Sequence, residues 1–338
     1  MSNMMVSAPT SKVSLCCVAS LQRLALFVAL ALSPAALNAE LLPKVHFLIP
    51  AGPGGGWDGT ARGTGEALVK SGLVTDVSYE NLSGGGGSRA IAKLIETANR
   101  QHFTLMISST PLVVRSLQGI FPQNFRDLEP IASVIADYGC FAVKADSEIK
   151  DFADVVARMR DKPRSIKVAG GSVKGSTDHF VFAKAVALAD INPRQTVYVA
   201  YDGGGKAMAG LLTGETELLS TGLSEAIDMA HQGEIRIIGI TATERLHDAP
   251  ELPTLKEQGF PVEFANWRGF FAAPGLPKER YQKMQYTLRK VVETDAFDTV
   301  RARNQWTQLY HEGSAFTDFL VEQERDIGNL MRELGFLR

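Results

Sequence analysis

Cysteine is scarce in this chain of 338 residues. Two of its three cysteines, Cys16 and Cys17, fall within the first 39 residues, and the third is Cys140. If this N-terminal segment is removed, no intramolecular disulfide can form, so packing must stabilise the fold even in an oxidising compartment. A disulfide-stapled scaffold is therefore excluded.

The chain also lacks an excess of charge of either sign. Its 35 Lys and Arg residues nearly balance 37 Asp and Glu residues, which leaves a formal charge of −2. Loss of the first 39 residues would remove Lys12 and Arg23 and no acidic residue, so the charge would become −4. This balance gives no reason to expect nucleic acid or an anionic membrane surface as a partner.

Catalytic and metal-binding motifs are missing as well. The six histidines are scattered, and none stands at metal-ligand spacing from another His or Cys, so we expect no metal and no cofactor. Ser176, Asp178 and His179 supply the letters of a hydrolytic triad, but sequence neighbours rarely satisfy its geometry, and no G-x-S-x-G motif is present. We interpret Ser176 or Thr177 as a helix cap, which disfavours an enzyme.

The N-terminus has the pattern of a secretory signal peptide. Lys12 and Arg23 precede an apolar stretch over residues 24–37, and small residues follow as far as Ala39. The stretch contains Pro34 and is shorter than the ~20 residues that a membrane span needs. Cys16 and Cys17 precede it, so a lipoprotein site is not indicated. We predict cleavage after Ala39, which leaves a chain long enough for two domains.

Short β-branched and aliphatic runs alternate with amphipathic stretches in the rest of the chain. The helical stretch over residues 151–160, for example, repeats apolar residues at Phe152, Val155, Val156 and Met159. Such alternation predicts an α/β fold with mainly parallel sheets. The strands that we predict are residues 45–49, 77–80, 104–108, 165–169, 196–200, 217–220 and 235–241.

Glycine clusters follow four of these predicted strands, at residues 52–56, 84–87, 170–171 and 203–205. In an open parallel sheet, the loops at the carboxyl ends of the strands form the ligand crevice. Glycine lets backbone N–H groups approach a ligand closely there, and a following helix adds positive partial charge. Any one cluster could be only a tight turn, but four clusters favour a shared anion-binding cleft.

A dinucleotide site is the rival interpretation. Residues 54–59 read G-x-G-x-x-G after a strand, and Glu80 stands near the position of a ribose-binding acid. Export away from the main nucleotide pools counts against this interpretation. The stiff P-A-G-P sequence that opens the loop also counts against it, and no Gly-Lys-Ser/Thr follows to make a Walker loop.

An ordered set of segments resembles the substrate-binding receptors of tripartite tricarboxylate transporters. The set covers nearly the whole chain after the signal segment. It comprises PAGPGGGWD at 50–58 with AR at 61–62, ENLS and four glycines at 80–87, GS at 171–172 with GSTDH at 175–179, YDGGG at 201–205, TATER at 241–245, LPT at 252–254, and NWRG at 266–269 with APG at 273–275.

The resemblance implies two Rossmann-like α/β lobes of type II periplasmic binding protein architecture, with a ligand cleft between them. Lobe 1 would comprise residues 40–143 and 264–338, and lobe 2 residues 144–263. The implied function is a monomeric receptor in the periplasm of a Gram-negative cell. It would capture a small carboxylate, with a tricarboxylate such as citrate as the first candidate, and deliver it to membrane permease subunits. An exported dinucleotide-binding or hydrolytic enzyme and a sensory binding protein remain the alternatives.

The ligand site implied by the resemblance is built largely from backbone amides. The residues expected there are Gly54, Gly55, Gly56, Trp57, Asp58, Thr60, Gly85, Gly86, Gly87, Ser108, Ser109, Thr110, Gly171, Ser172, Tyr201, Asp202 and Arg268. Asp58 could instead be the N-cap of a helix that begins near Gly59. Asp202 departs from the lysine of many relatives and would repel an anion unless it holds a donor. The cations considered for a second carboxylate are Arg62, Arg89, Lys174, Lys206 and Arg268.

Overall fold

The computed structural model describes residues 41–337, so the predicted signal segment lies outside the described residues. Its strands are β1 (Lys44–Ile49), β2 (Asp76–Asn81), β3 (Thr104–Ser109), β4 (Glu129–Lys144), β5 (Lys167–Gly170), β6 (Val197–Ala200), β7 (Leu218–Gly222), β8 (Ile235–Ile240), β9 (Ala265–Ala272) and β10 (Thr307–Glu312). Its α-helices are α1 (Gly56–Lys70), α2 (Ser88–Glu96), α3 (Thr110–Leu117), α4 (Phe152–Asp161), α5 (Thr177–Ala187), α6 (Gly204–Leu212), α7 (Leu223–His231), α8 (Lys278–Val292), α9 (Asp295–Arg303) and α10 (Gly313–Glu333).

Local sequence accounts for most of these elements. The seven predicted strands are confirmed with shifts of one or two residues at their ends. Helix α4 begins after Asp151, whose carboxylate accepts a hydrogen bond from the Asp154 N–H at 2.9 Å. The apolar residues predicted for its inner face are all buried. The alternating strands and helices therefore confirm the α/β prediction.

The described strands form one ten-stranded sheet with the order β2-β1-β3-β9-β4-β7-β5-β6, and β8 and β10 also pair with β4. The first half-sheet comprises β1, β2, β3, β9, β10 and residues 129–138 of β4. The second half-sheet comprises β5, β6, β7, β8 and residues 139–144 of β4. Strand β4 changes its partners between Tyr138 and Gly139, so one strand belongs to both halves.

Three strands, β4, β9 and β10, were not among the predicted strands, and they change the character of the sheet. Strands β1, β2 and β3 are parallel, as are β5, β6 and β7. Every pair that β4 forms is antiparallel, and β9 also runs antiparallel to β3. The prediction of mainly parallel sheets is therefore wrong at the centre, because a buried strand such as β4 carries no alternation to reveal it.

Apolar side chains fill the space between the sheet and the helices. Phe47 on β1, for example, stacks on Tyr79 with ring centroids 5.6 Å apart and packs on Phe270 at 5.3 Å. Helix α10 buries Phe316 and Leu320 in a separate cluster, where the Phe316 ring centroid lies 5.8 Å from that of Trp267 and 5.4 Å from that of Phe271. No helix within residues 41–337 is long and apolar enough to cross a membrane.

Helix α1 is rich in glycine, and two of its glycines should respond oppositely to substitution by alanine. A Cβ on Gly63 would stand 2.7 Å from Val300 Cγ1, so Gly63→Ala should destabilise the protein by about 1–3 kcal/mol through overpacking. Gly59 has open space at its Cβ position, so Gly59→Ala should stabilise the helix by up to about 1 kcal/mol. Urea denaturation midpoints of both variants test this pair, and equal midpoints would contradict the packing described for α1.

Candidate functional site

Loops that follow six strands meet at one cleft with a volume of about 420 Å³. The strands are β1, β2 and β3 of the first half-sheet and β5, β6 and β7 of the second. The parallel strands bring their carboxyl ends to the same edge, and this explains why glycine clusters far apart in sequence come together. A cleft of this size accommodates a small organic molecule.

Most of the predicted ligand residues line this cleft. Those that do are Gly55, Gly56, Trp57, Gly85, Gly86, Ser109, Gly171, Ser172, Tyr201, Asp202 and Arg268. Six others do not line it: Asp58, Thr60, Gly87, Ser108 and Thr110 are buried, and Gly54 is exposed. The structure therefore brings the predicted loops together, and contact between these residues and a ligand stays a prediction.

Asp58 supports the first glycine loop from behind. Its carboxylate accepts hydrogen bonds from the Gly54 N–H at 3.0 Å, from Asn81 at 2.9 Å and from Arg62 at 2.9 Å. The N-cap interpretation is wrong, because α1 begins at Gly56 and Asp58 lies within its first turn. Trp57 fixes the same loop from the cleft side, where its indole N–H donates to Ser109 Oγ at 2.8 Å.

The loop of Asp202 contacts the glycine turn that follows β2. Ser83 donates its hydroxyl to the Asp202 carboxylate, with oxygen distances of 2.8 and 2.9 Å, and the Lys206 ammonium lies 3.6 Å away. The Asp202 carboxylate therefore holds a hydroxyl and lies near an ammonium group, as we expected of an acidic residue at this position of an anion-binding cleft. In the same turn Gly86 has a φ of +67°, a conformation that side chains other than glycine rarely adopt.

Arg268 lines the cleft, but its charge is already paired. Its guanidinium donates to the Asp137 carboxylate at 2.6 Å and to Thr60 Oγ1 at 3.0 Å, and both charged side chains are almost fully buried. A Cβ on Gly56 would stand 2.0 Å from this guanidinium, so Gly56 has to be glycine for the protein's own packing. Arg268 was predicted as a ligand residue, and its partner Asp137 was missed.

Arg115 is the second arginine of the cleft, and the sequence analysis missed it. It lies on α3 with 8% of its surface exposed, and its guanidinium carbon is 5.4 Å from the centroid of the Phe121 ring. Within residues 41–337 no carboxylate pairs with it, and its Nε has no hydrogen-bond partner. The available signal was a single arginine inside the apolar helix T-P-L-V-V-R-S-L.

The sequence analysis also missed two acidic lining residues, Asp178 on α5 and Glu225 on α7. Asp178 accepts a hydrogen bond from the Ser172 N–H at 2.9 Å; the residue as a whole is half-buried, while its carboxyl group is enclosed by protein. Burial, followed by the charge of Glu225, raises the pKa of Asp178 to about 7. Glu225 lies in the first turn of α7, and its carboxylate accepts hydrogen bonds from the Gly56 N–H and from the Thr221 hydroxyl.

The residues with the letters of a triad do not form one. His179 Nδ1 accepts a hydrogen bond from the Gly175 N–H at 2.9 Å, while Asp178 bonds to Ser172 instead. Burial and the nearby Lys174 lower the pKa of His179 to about 4, so the ring is neutral at pH 7. Ser176 is the N-cap residue of α5, although its side chain makes no capping hydrogen bond. No group of three or more acidic, His or Cys residues in the described part of the chain could hold a metal ion.

The rival nucleotide residues are likewise engaged elsewhere. Glu80 accepts two hydrogen bonds from the Lys93 ammonium, at 2.5 and 2.7 Å, on the outer strand β2. Its carboxylate is therefore held by a neighbouring side chain rather than presented to a ribose. Helix α1 begins at Gly56, inside the G-x-G-x-x-G sequence, so the three glycines do not form a single turn ahead of the helix.

The buried Asp178 carboxyl should make the stability of the protein depend on pH. Because its folded pKa is raised, the folded state keeps a proton between about pH 4 and pH 7 that the unfolded chain releases. Its contribution to the free energy of unfolding is present below this window and is lost as pH rises through it. Asp178→Asn should therefore gain stability relative to the wild type as pH rises. Urea denaturation across this range measures the difference, and a difference that stays constant with pH would contradict the assignment.

Comparison with known proteins identifies the family of this chain. The family model of the tripartite tricarboxylate transporter family receptor matches residues 61–336. A UPF0065 protein from the tcbD-tcbE intergenic region of Pseudomonas sp. is 26% identical over 287 residues, covering 82% of this chain and 83% of its own.

Solved structures show the same fold at lower identity. MatC from Rhodopseudomonas palustris with bound malate is 18% identical with a TM-score of 0.75, covering 85% of this chain and 98% of its own. An R. palustris protein with adipate is 19% identical with a TM-score of 0.78, covering 86% and 97%. The predicted α/β fold of a periplasmic binding protein is thereby confirmed. Because the family model spans most of the chain, this protein belongs to the family of tripartite tricarboxylate transporter receptors, which are solute-binding proteins and not enzymes.

Proposed function

We propose that this protein captures a small carboxylate in the glycine-lined cleft. The observation that carries the proposal is the partnerless, buried Arg115 guanidinium, which stands beside loops rich in backbone N–H groups. A buried cation without a carboxylate partner is costly, and a bound anion would compensate for it. The malate and adipate of the two R. palustris structures are acids of this kind.

The charges of the cleft bear on which acid binds. The resemblance of the first loop makes citrate the first acid to test. The lining, however, contains four acidic residues and only two arginines. The acidic residues are Asp137, Asp178, Asp202 and Glu225. Like charges repel strongly in a site with little water, so these carboxylates favour acids with one or two carboxyl groups over a trianion.

We further propose that the cleft closes over its ligand by hinge motion between two lobes, residues 40–143 with 264–338 and residues 144–263. The change of pairing partners between Tyr138 and Gly139 supports a crossing between the lobes within β4, a few residues before the proposed boundary at residue 143. A ligand that contacts loops from both half-sheets binds the closed form better and shifts the population towards it.

The downstream role that we propose is delivery of the acid to the membrane permease subunits of a tripartite transporter driven by an ion gradient. Support comes from the family and from the predicted signal peptide, which together favour a monomer in the periplasm of a Gram-negative cell. A sensory role is the second candidate, and it differs in needing no permease. Deleting the gene of this protein should abolish uptake of the bound acid if the protein is a transport receptor, and should leave the uptake system itself able to carry the acid if the protein is a sensor.

A thermal-shift panel tests ligand capture directly. The panel compares NAD with five acids: citrate, malate, adipate, glutamate and benzoate. The protein is taken from the secreted fraction of its native host, and sequencing of its N-terminus checks that cleavage occurred near Glu40. We expect at least one acid to raise the melting temperature, because a ligand at about 100 times its Kd stabilises a protein by about 2.7 kcal/mol. A shift with NAD and with none of the acids would contradict the proposal.

Arg115→Gln should weaken binding of every acid that stabilises the wild type. Loss of a charged hydrogen-bond donor costs about 1.5–3 kcal/mol, so the Kd should rise by about 10- to 100-fold. Arg89→Gln is the matched control, because Arg89 is an exposed arginine beside the same glycine turn and does not line the cleft. Calorimetric Kd values for folded variants decide the question, and equal losses in both variants would show that Arg115 has no special role.

A further inference from the structure

The glycine-lined part of the cleft already contains a carboxylate, that of Glu225. One of its oxygens accepts the Gly56 N–H, and the other accepts the Thr221 hydroxyl. A Cβ on Gly204 would stand 2.4 Å from this second oxygen, and a Cβ on Gly55 would stand 3.6 Å from the first. The glycines of two separate loops therefore leave room for a carboxylate, and the protein itself supplies it.

The amide that Glu225 holds has the chemistry expected of the ligand site. Gly56 is the first residue of α1, so its N–H belongs to the amides at the positive end of the helix. It is also one of the backbone amides that we expect to bind the carboxylate of a ligand. A ligand carboxylate and the Glu225 carboxylate thus need the same donor.

The surroundings of Glu225 give its charge little compensation. The titratable and charged residues that line the cleft together with Glu225 are Asp137, Asp178, Asp202, Tyr201, Arg115 and Arg268, and the charge of Glu225 also acts on the buried Cys140 behind the wall. Asp137 occupies Arg268, and within the described residues no Lys, Arg or His forms an ion pair with Glu225. Asp178 is the neighbouring acid, and the charge of Glu225 contributes to its raised pKa.

We propose that Glu225 is a specificity-determining residue that mimics the ligand carboxylate: it holds the Gly56 amide in the ligand-free protein and releases it when a ligand carboxylate binds. The inference rests on the proposed function. It implies that a ligand must carry a charged carboxylate to compete, because a neutral amide or alcohol forms a weaker hydrogen bond than the ion that it displaces.

Displacement also couples binding to a proton. The released Glu225 carboxylate and the ligand carboxylate then share one cleft with Asp178, and close like charges favour the protonated form of Asp178. The complex therefore holds more protons than the free protein near neutral pH. Since the bound state gains a proton, the affinity falls as pH rises above neutrality.

The test measures the affinities of malate, adipate and citrate for the wild type, Glu225→Gln and Glu225→Ala by calorimetry. At about pH 8 we expect both variants to bind the acids about tenfold more tightly, because a competing and repelling charge is gone. Titrations in buffers of different ionisation enthalpy should show proton uptake by the wild type and a smaller uptake by Glu225→Gln. Glu225→Gln keeps an oxygen for the Gly56 N–H, so it should fold, and its melting temperature checks this.

Asp228→Asn is the matched control, because it removes one negative charge from the exposed face of the same helix α7. Its affinities and proton uptake should equal those of the wild type. If the wild type binds an acid while both Glu225 variants bind it equally or more weakly, with unchanged proton uptake, the inference is overturned and the proposed function stands. If neither the wild type nor any variant binds an acid, the proposed function fails and the inference with it.

Discussion

The ion pair between Arg268 and Asp137 joins the parts of this protein that make its cleft. Arg268 comes from β9 and Asp137 from β4, while Thr60 of α1 and Ser224 of α7 complete their hydrogen bonds. Four elements from both half-sheets thus meet at one buried charge pair. Removing one partner of such a pair costs about 3–5 kcal/mol, because the other charge is left buried alone. The positions of the first glycine loop and of α7 therefore depend on this contact.

Glycine patterns predict where a site lies better than they predict which residues bind a ligand. Arg268 of this ion pair is an example, because it fills the space beside a glycine of the first loop. The clusters after β1, β2, β5 and β6 were visible in the sequence, and the cleft that they form follows from parallel strands. The pattern does not say what fills the space at each glycine. At Gly56 it is the Arg268 guanidinium, and at Gly170 it is the Tyr198 hydroxyl, 2.1 Å from where a Cβ would stand.

The charged residues that the sequence analysis missed share a different signature. Asp137 and Arg115 each stand alone inside an apolar segment, and Asp178 and Glu225 lie in the first turns of helices that follow buried strands. A lone charge within a buried element has to be paired or face a site, because an isolated buried charge is unfavourable. Which of these two roles applies depends on contacts between residues more than 80 positions apart, such as Asp137 with Ser224. Periodicity along the chain carries no information about such contacts.

Strand β9 has a consequence for the order in which the protein is made. It lies between β3 and β4, yet it is synthesised about 120 residues after β4 ends, as the strand bounds show. Until β9 emerges from the ribosome, the facing edges of β3 and β4 have no partner, and unpaired edges of apolar strands promote aggregation. The first half-sheet can therefore be completed only after the last residue of β9, Ala272, has been synthesised, and until then both edges are open to association with other chains.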